Sequence, residues 1–256
     1  MTAASSDAPT PSLGLAARAA ELAATAPADS AGARPAGAPM LVVDDLRISF
    51  PNRDGGRTEA VRGVSFALGR ERLGIVGESG SGKSQTGRAI LGLTAPEGAV
   101  TARRLEFNGV DLLHCGQKQR RELRGGRIAM VLQDPKFSLN PVMTIGQQIV
   151  ETLRAHTRIS GRDARAKALA ALVAVQIDQP ERVYQLYPHE VSGGMGQRAM
   201  IAMMLIADPD LLIADEPTSA LDVTVQLQVL AILDDLVRQR GMGLIFISHD
   251  LRLVST

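Results

Sequence analysis

Tryptophan is absent from this 256-residue chain, and two tyrosines and five phenylalanines bring the aromatic share to only 3%. A surface on which the bases of single-stranded nucleic acid stack is therefore not expected. The lone Cys115 excludes an internal disulfide and any cysteine-rich metal site, and it suits a reducing compartment. An excess of either charge is lacking as well. The formal net charge is +1, which gives no reason to expect nucleic acid as the main partner. No apolar run approaches the roughly 18 residues of a membrane span, so membrane association has to run through a partner. Apolar side chains, in contrast, make up 45% of the chain. That is enough to fill one large domain, or one domain with a subdomain.

Residues 1–39 are rich in Ala, Pro, Ser and Thr and poor in large apolar side chains, and are expected to be a disordered tail. A short helix is allowed over Leu13–Ala24. A basic start followed by a long apolar core is missing, so the segment does not read as a secretory signal. Met40 stands directly before the first ordered stretch and is a second candidate for the start of translation.

The pattern from residue 40 on is that of an α/β fold. Leu41–Phe50 and Val61–Leu68 read as a hairpin with Gly55-Gly56 as its turn. Leu73–Val76 is a strand, and Ser84–Leu93 a helix with Ala89, Ile90 and Leu93 on one face. Arg104–Phe107 is a short strand ending in the turn Asn108-Gly109; Gln117–Arg124 reads as an exposed basic helix, and Ile128–Gln133 as a strand. Between Asp134 and Val191 the spacing turns helical, over Ile145–Ala155 and Ala164–Val175, as in an all-helical insertion. Gly194–Ala207 and Val223–Arg238 are helices, and Leu211–Ala214 and Gly243–Ser248 wholly apolar strands. Buried strands alternating with helices point to a mostly parallel, covered sheet.

The chemistry is concentrated in a few short stretches. Gly77-Glu78-Ser79-Gly80-Ser81-Gly82-Lys83-Ser84 fits G-x-x-x-x-G-K-[ST], the phosphate-binding P-loop. It lies between a strand and a helix, the context that separates it from a chance Gly/Ser turn. Its glycines let backbone N–H groups close on a polyphosphate, and the helix adds its positive end. Lys83 would reach the β- and γ-phosphates, and the Ser84 hydroxyl would ligate Mg²⁺. Leu211–Ala214 runs into Asp215-Glu216. A buried strand ending in a carboxylate sets that charge at the carboxyl edge of the sheet. Asp215 then suits a cation, and Glu216, pointing elsewhere, suits an attacking water. Val191-Ser192-Gly193-Gly194-Met195 is a second Ser/Gly stretch at a helix start; taken alone it reads as a Ser N-cap with a flexible turn.

Taken together these motifs resemble the ATP-binding cassette (ABC) transporter ATPases, from about Met40 to the last residue. Val191–Met195 resembles the signature loop. Gln133 resembles the Q-loop glutamine, Asp215 and Glu216 the Walker B pair, and Ser219–Asp222 the D-loop. His249 resembles the switch histidine, and Phe50 the aromatic that stacks on adenine. The resemblance implies a P-loop NTPase (RecA-like) core at 40–133 and 197–256, with an N-terminal antiparallel β subdomain. It further implies a helical subdomain at 134–196 that carries the signature loop. It implies ATP and Mg²⁺ as ligands: Gly77 through Gln85, Phe50, Ser192, Gly193, Gly194 and Asp222 for the nucleotide, and Ser84, Gln133 and Asp215 for the metal. Lys83, Gln133, Glu216 and His249 would take part in hydrolysis. It also implies a second ATP-binding subunit, membrane permease subunits, a solute-binding protein outside the membrane, and a peripheral place at the cytoplasmic face of the inner membrane. Gln133-Asp134-Pro135, Ser138–Pro141, Tyr187–Glu190 and Thr218–Gln226 look like the dipeptide, oligopeptide and nickel permease group, in which peptide import leads.

Departures accompany the resemblance. Val191 stands in place of the usual Leu. Gly196, which costs about 1 kcal/mol against Ala inside a helix, is expected to fray the signature helix. Arg70 replaces a common Gly, so that turn must be built otherwise. The chain stops seven residues after His249, where family members continue, so a truncated carboxyl end is expected. A non-hydrolysing nucleotide-binding remnant and a soluble ABC ATPase are the alternatives. The second lacks its usual long heptad run and cysteine pair.

Overall fold

β1 (Leu41–Pro51) and β2 (Arg57–Leu68) form a long antiparallel hairpin. Its turn closes where the Asn52 N–H donates to the Gly56 carbonyl at 2.9 Å. The computed structural model describes residues 38–132, 138–219 and 221–250. Most of the expected tail and Gln133 thus lie outside the described residues, whereas Met40 is 6% exposed and part of the core. β4 (Ala99–Thr101) and β5 (Arg104–Phe107) also pair with β1, and β6 (Val110–Asp111) pairs with β5. Between β5 and β6, Asn108 and Gly109 both take positive φ, which a two-residue hairpin turn needs.

The second sheet is parallel: β3 (Arg72–Val76), β9 (Gly243–Ser248), β8 (Leu211–Asp215) and β7 (Ile128–Val131), in that order across it. Successive side chains of a strand point to opposite faces, and here both faces are covered. Ile128, Met130, Leu211, Ile213, Ile245 and Ile247 share a core with the antiparallel sheet and with Ala89 and Ile90 of α1 (Lys83–Ile90). Ala129, Val131, Leu212, Ala214, Leu244 and Phe246 share the other core with helices. Apart from Asp215 and Ser248 at their carboxyl ends, those strands carry no polar side chain, because neither face meets water. β3 is the exception: at the edge, it is only half-buried.

α2 (Gln117–Leu123) buries no residue, as its polar sequence requires. α3 (Ile145–His156), α4 (Gly161–Ala174), α5 (Pro180–Gln185) and α6 (Gly193–Leu205) build the second core with α7 (Val223–Arg240). Three local expectations are corrected. Leu93 is not on the buried face of α1 but 49% exposed. The helix stops at Gly92 (φ 59°), and the Leu93 N–H reaches back to the Arg88 carbonyl, turning the chain away. Gly196 does not fray α6: it is buried, and its N–H donates to the Ser192 carbonyl at 2.8 Å. The turn at Arg70 is held by the Gly69 N–H donating to Glu71 Oε1 and by Arg70 Nη1 donating to the Gly241 carbonyl.

Candidate active site

Three adjacent parallel strands end side by side. Val76 pairs with Ser248 and Asp215 with Ile247, so the P-loop, Asp215-Glu216 and His249 leave the same sheet edge. Ligands of open α/β sheets sit at that edge. The P-loop backbone needs its glycines. Gly80 and Gly82 have φ of 83° and 92°. A Cβ on Gly82 would also drive into the Ala60 carbonyl of β2, so the hairpin backs directly onto the loop. Gly82 is the N-cap of α1, which has no capping side chain and no acidic residue in its first turn. The free N–H groups and positive end of the helix are therefore available to an anion.

Lys83 is 8% exposed, and its Nζ donates to the carbonyls of Gly77 and Glu78 at 2.7 Å each. The ammonium is thus folded over the loop. The Ser84 hydroxyl donates to Asp215 Oδ1 at 2.7 Å, joining P-loop and β8. Burial pushes the Asp215 carboxyl up from its ordinary range. The Ser84 hydrogen bond and the charges of Arg88 and Lys83 pull it down, while Glu216 adds to the rise. Among the described residues the side-chain amide oxygen of Gln85, next to Ser84 in the chain, is buried without a hydrogen-bond partner. Glu216 lies 3.3 Å from His249 Nδ1, with its side chain 18% exposed against 59% for the histidine. Glu216 has a φ of 46°, which turns its side chain out of the strand line that Asp215 follows.

The remaining expected residues occupy other places. The Phe50 ring packs toward Gly98, where its Cε1 would stand 2.8 Å from a Cβ. Its strand partner Thr58 lies two residues from Ala60, close to the P-loop side of β2. Ser192 caps α6 by accepting from the Met195 N–H, and Asp222 caps α7 by accepting from the Val225 N–H. A Cβ on Gly194 would come within 2.6 Å of Val225, so the Ser192–Gly194 loop abuts the start of α7. Neither capping side chain reaches the P-loop. Gln197 was missed by the sequence reading; it is 1% exposed and its amide donates to the Pro217 carbonyl, one residue after Glu216. The available signal was a lone amide within the small and apolar run of α6. An open cavity of about 460 Å³ bordered by Lys118, Arg121 and His156 lies away from this edge, by the carboxyl ends of α3 and α6. Basic groups suit such helix ends.

The arrangement can close N–H groups and a lysine on a polyphosphate and hold a divalent cation between hydroxyl and carboxylate. It also sets the Glu216 carboxylate and the His249 imidazole side by side at the same sheet edge.

Comparison with known proteins agrees with this chemistry. The chain is 48% identical over 218 residues to the oligopeptide transport ATP-binding protein OppD of Bacillus subtilis (84% of this chain, 61% of that one). It is 50% identical over 218 residues to the probable peptide ABC transporter ATP-binding protein y4tR of Sinorhizobium fredii (84% and 65%). The chain thus spans less than two thirds of these relatives. The fold matches the ATP-binding cassette MJ0796, solved as a dimer in a post-hydrolysis state bound to ADP and Pi. The TM-score is 0.69 at 25% identity, over 84% of this chain and 90% of that one. The sequence model of the ABC transporter family matches residues 61–219, more than half of the chain, and the chain belongs to that family.

Proposed function

We propose that this chain is the ATP-hydrolysing subunit of an importer for peptides or related small solutes. The observation that carries the proposal is the Ser84–Asp215 hydrogen bond, which ties the phosphate loop to the end of β8, one residue before Glu216. Ser84 and Asp215 are hard oxygen donors that suit Mg²⁺, and with Gln133 they would hold it. When bound, the cation supplies charge neutralisation at the β- and γ-phosphate oxygens.

The other steps belong to the chain's own groups. Lys83 exchanges its loop carbonyls for phosphate oxygens. The N–H groups from Gly77 to Gln85 wrap the polyphosphate, and Phe50 lies against the base. Glu216 orients a water and takes its proton, while His249 steadies the carboxylate and contacts the γ-phosphate. Most of the rate gain in phosphoryl transfer comes from such positioning and charge neutralisation.

The cassette pairs head to tail with a second ATP-binding subunit, Ser192, Gly193, Gly194 and Asp222 of one closing on the nucleotide of the other. Residues 134–196 pass that motion to permease subunits, at the cytoplasmic face of the inner membrane. A solute-binding protein outside delivers the cargo. Support comes from the likeness to peptide-transport ATP-binding proteins and to the dimeric cassette. Among the described residues no helix is long and apolar enough to cross a membrane.

The test is a paired assay of ATP binding and hydrolysis. Lys83→Ala loses ATP affinity by calorimetry. Glu216→Gln keeps it, while turnover falls by about 10²-fold or more, the scale of a lost general base. Equal affinity in Lys83→Ala and wild type, or undiminished turnover in Glu216→Gln, refutes the assignment. With permease subunits in vesicles, uptake of a labelled oligopeptide and its dependence on Glu216 test the cargo.

A further inference from the structure

We infer that Gln197 is a positioning residue that aims the Glu216 carboxylate. The inference rests on reading Glu216 as the group that activates water. Glu216 has a φ of 46°. Left-handed backbone is unfavourable for a residue with a Cβ, so the surroundings have to impose it.

Three anchors do so. The Glu216 N–H donates to the Ile247 carbonyl of β9 at 3.0 Å. The Glu216 carbonyl accepts from the Ser219 N–H at 3.3 Å and from the Ser219 hydroxyl at 3.2 Å. The third anchor is the carbonyl of Pro217, which accepts from the Gln197 side-chain amide. Proline has no N–H, so this carbonyl is the only backbone group by which Pro217 can be hydrogen-bonded.

Packing alone does not account for an amide there. Gln197 is 1% exposed, among Ala199, Met200 and Ile201 on α6, where an apolar side chain would avoid the cost of burying a polar group. What the amide adds is a directed bond between two elements. α6 begins at the Ser192 cap, little more than one turn before Gln197. A shift of α6 therefore reaches the Pro217 carbonyl, and through it the backbone of Glu216. The loop expected to close on a partner's nucleotide is thereby linked to the carboxylate of its own subunit's site.

The experiment compares wild type, Glu216→Gln, Gln197→Met and Gln197→Asn. Methionine keeps the volume and loses the donor; asparagine keeps the donor and is too short to reach. In both Gln197 variants kcat falls about 10- to 100-fold, the scale of a misaimed catalytic group. KM and Kd for ATP stay within about 2-fold, since ground-state binding is untouched. Hydrogen exchange is followed on the peptide 215–221, with a peptide of β1 as control. In either variant that peptide exchanges at least about 5-fold faster while the control does not change, a local opening. This arm needs no turnover. Undiminished turnover in Glu216→Gln refutes the reading of Glu216 itself. An inactive Glu216→Gln alongside wild-type kcat in Gln197→Met overturns the inference alone. So does unchanged exchange at 215–221, or a loss of kcat matched by equal losses in ATP affinity and melting temperature.

Discussion

At Asp215 the fold holds a carboxylate that burial makes expensive to charge, with the Ser84 hydroxyl as a hydrogen-bonded partner. Its pKa is raised in the folded state, so between the unfolded and folded values the native protein binds more protons than the unfolded chain. Stability therefore declines as pH rises through that window, and the cost is fully present above it. Asp215→Asn removes the cost and keeps an oxygen for Ser84. The expected outcome is a variant that melts higher than wild type at neutral pH, with the difference closing as pH falls below the unfolded value. A lower melting temperature for Asp215→Asn at neutral pH would show that the carboxylate is net stabilising. The same variant loses its Mg²⁺-dependent gain in ATP affinity. Asp215 and Lys83 were legible in the sequence because a fixed local spacing carries each of them. Gln197 was not, and Ser219 was read only as part of the D-loop resemblance, without its bonds to the Glu216 carbonyl. Their partners are backbone carbonyls around Glu216, and for Gln197 the partner lies 20 residues away, a distance closed by packing in the helical core.

Element ends follow the backbone more than the hydrophobic pattern. The spacing of apolar residues located the long helices and the wholly buried strands β8 and β9 to within a few residues. It overran α1, since Leu93 continues the apolar face on paper while Gly92 already turns the chain. Three-residue β4 and six-residue α5 are too short to show a period, although Pro180 at the first helical turn was a start signal for α5. β3 reads as a core strand and lies at an edge, because strand order is not written in a strand's own composition. Gly241 ends α7 in the way Gly92 ends α1: at φ 57°, with the Met242 N–H donating to the Val237 carbonyl. A Cβ on Gly241 would meet nothing within 4 Å, so Gly241→Ala isolates the backbone strain from any clash. Urea unfolding of Gly241→Ala should show a loss of about 1–2 kcal/mol. Gly241→Asn should lose less, since asparagine visits this region more readily. Equal stability of wild type and Gly241→Ala would mean that the last turn of α7 contributes nothing to the transition.

The two cores lie on opposite faces of the parallel sheet, and neighbouring residues of one strand serve different cores. Leu212 points to the helices and Ile213 to the antiparallel sheet, and both are 0% exposed. A chain whose helices formed a separable unit would lose that unit first on heating. Among the described residues the helical core rests on β7, β8 and β9, and the antiparallel core uses the opposite face of the same strands. Leu212→Ala and Ile213→Ala each remove buried apolar volume at about 2–5 kcal/mol. We expect both variants to lower one shared melting transition by comparable amounts. MgATP, bound at the edge of the shared sheet, should raise that transition in both, by about 2.7 kcal/mol at a hundredfold excess over Kd. Calorimetry is the measurement. If Leu212→Ala gave a second, low-temperature transition that nucleotide left unmoved, the helices would be an independent unit. Motion of α6 would then reach the site only through the Gln197–Pro217 hydrogen bond, with no support from a shared sheet.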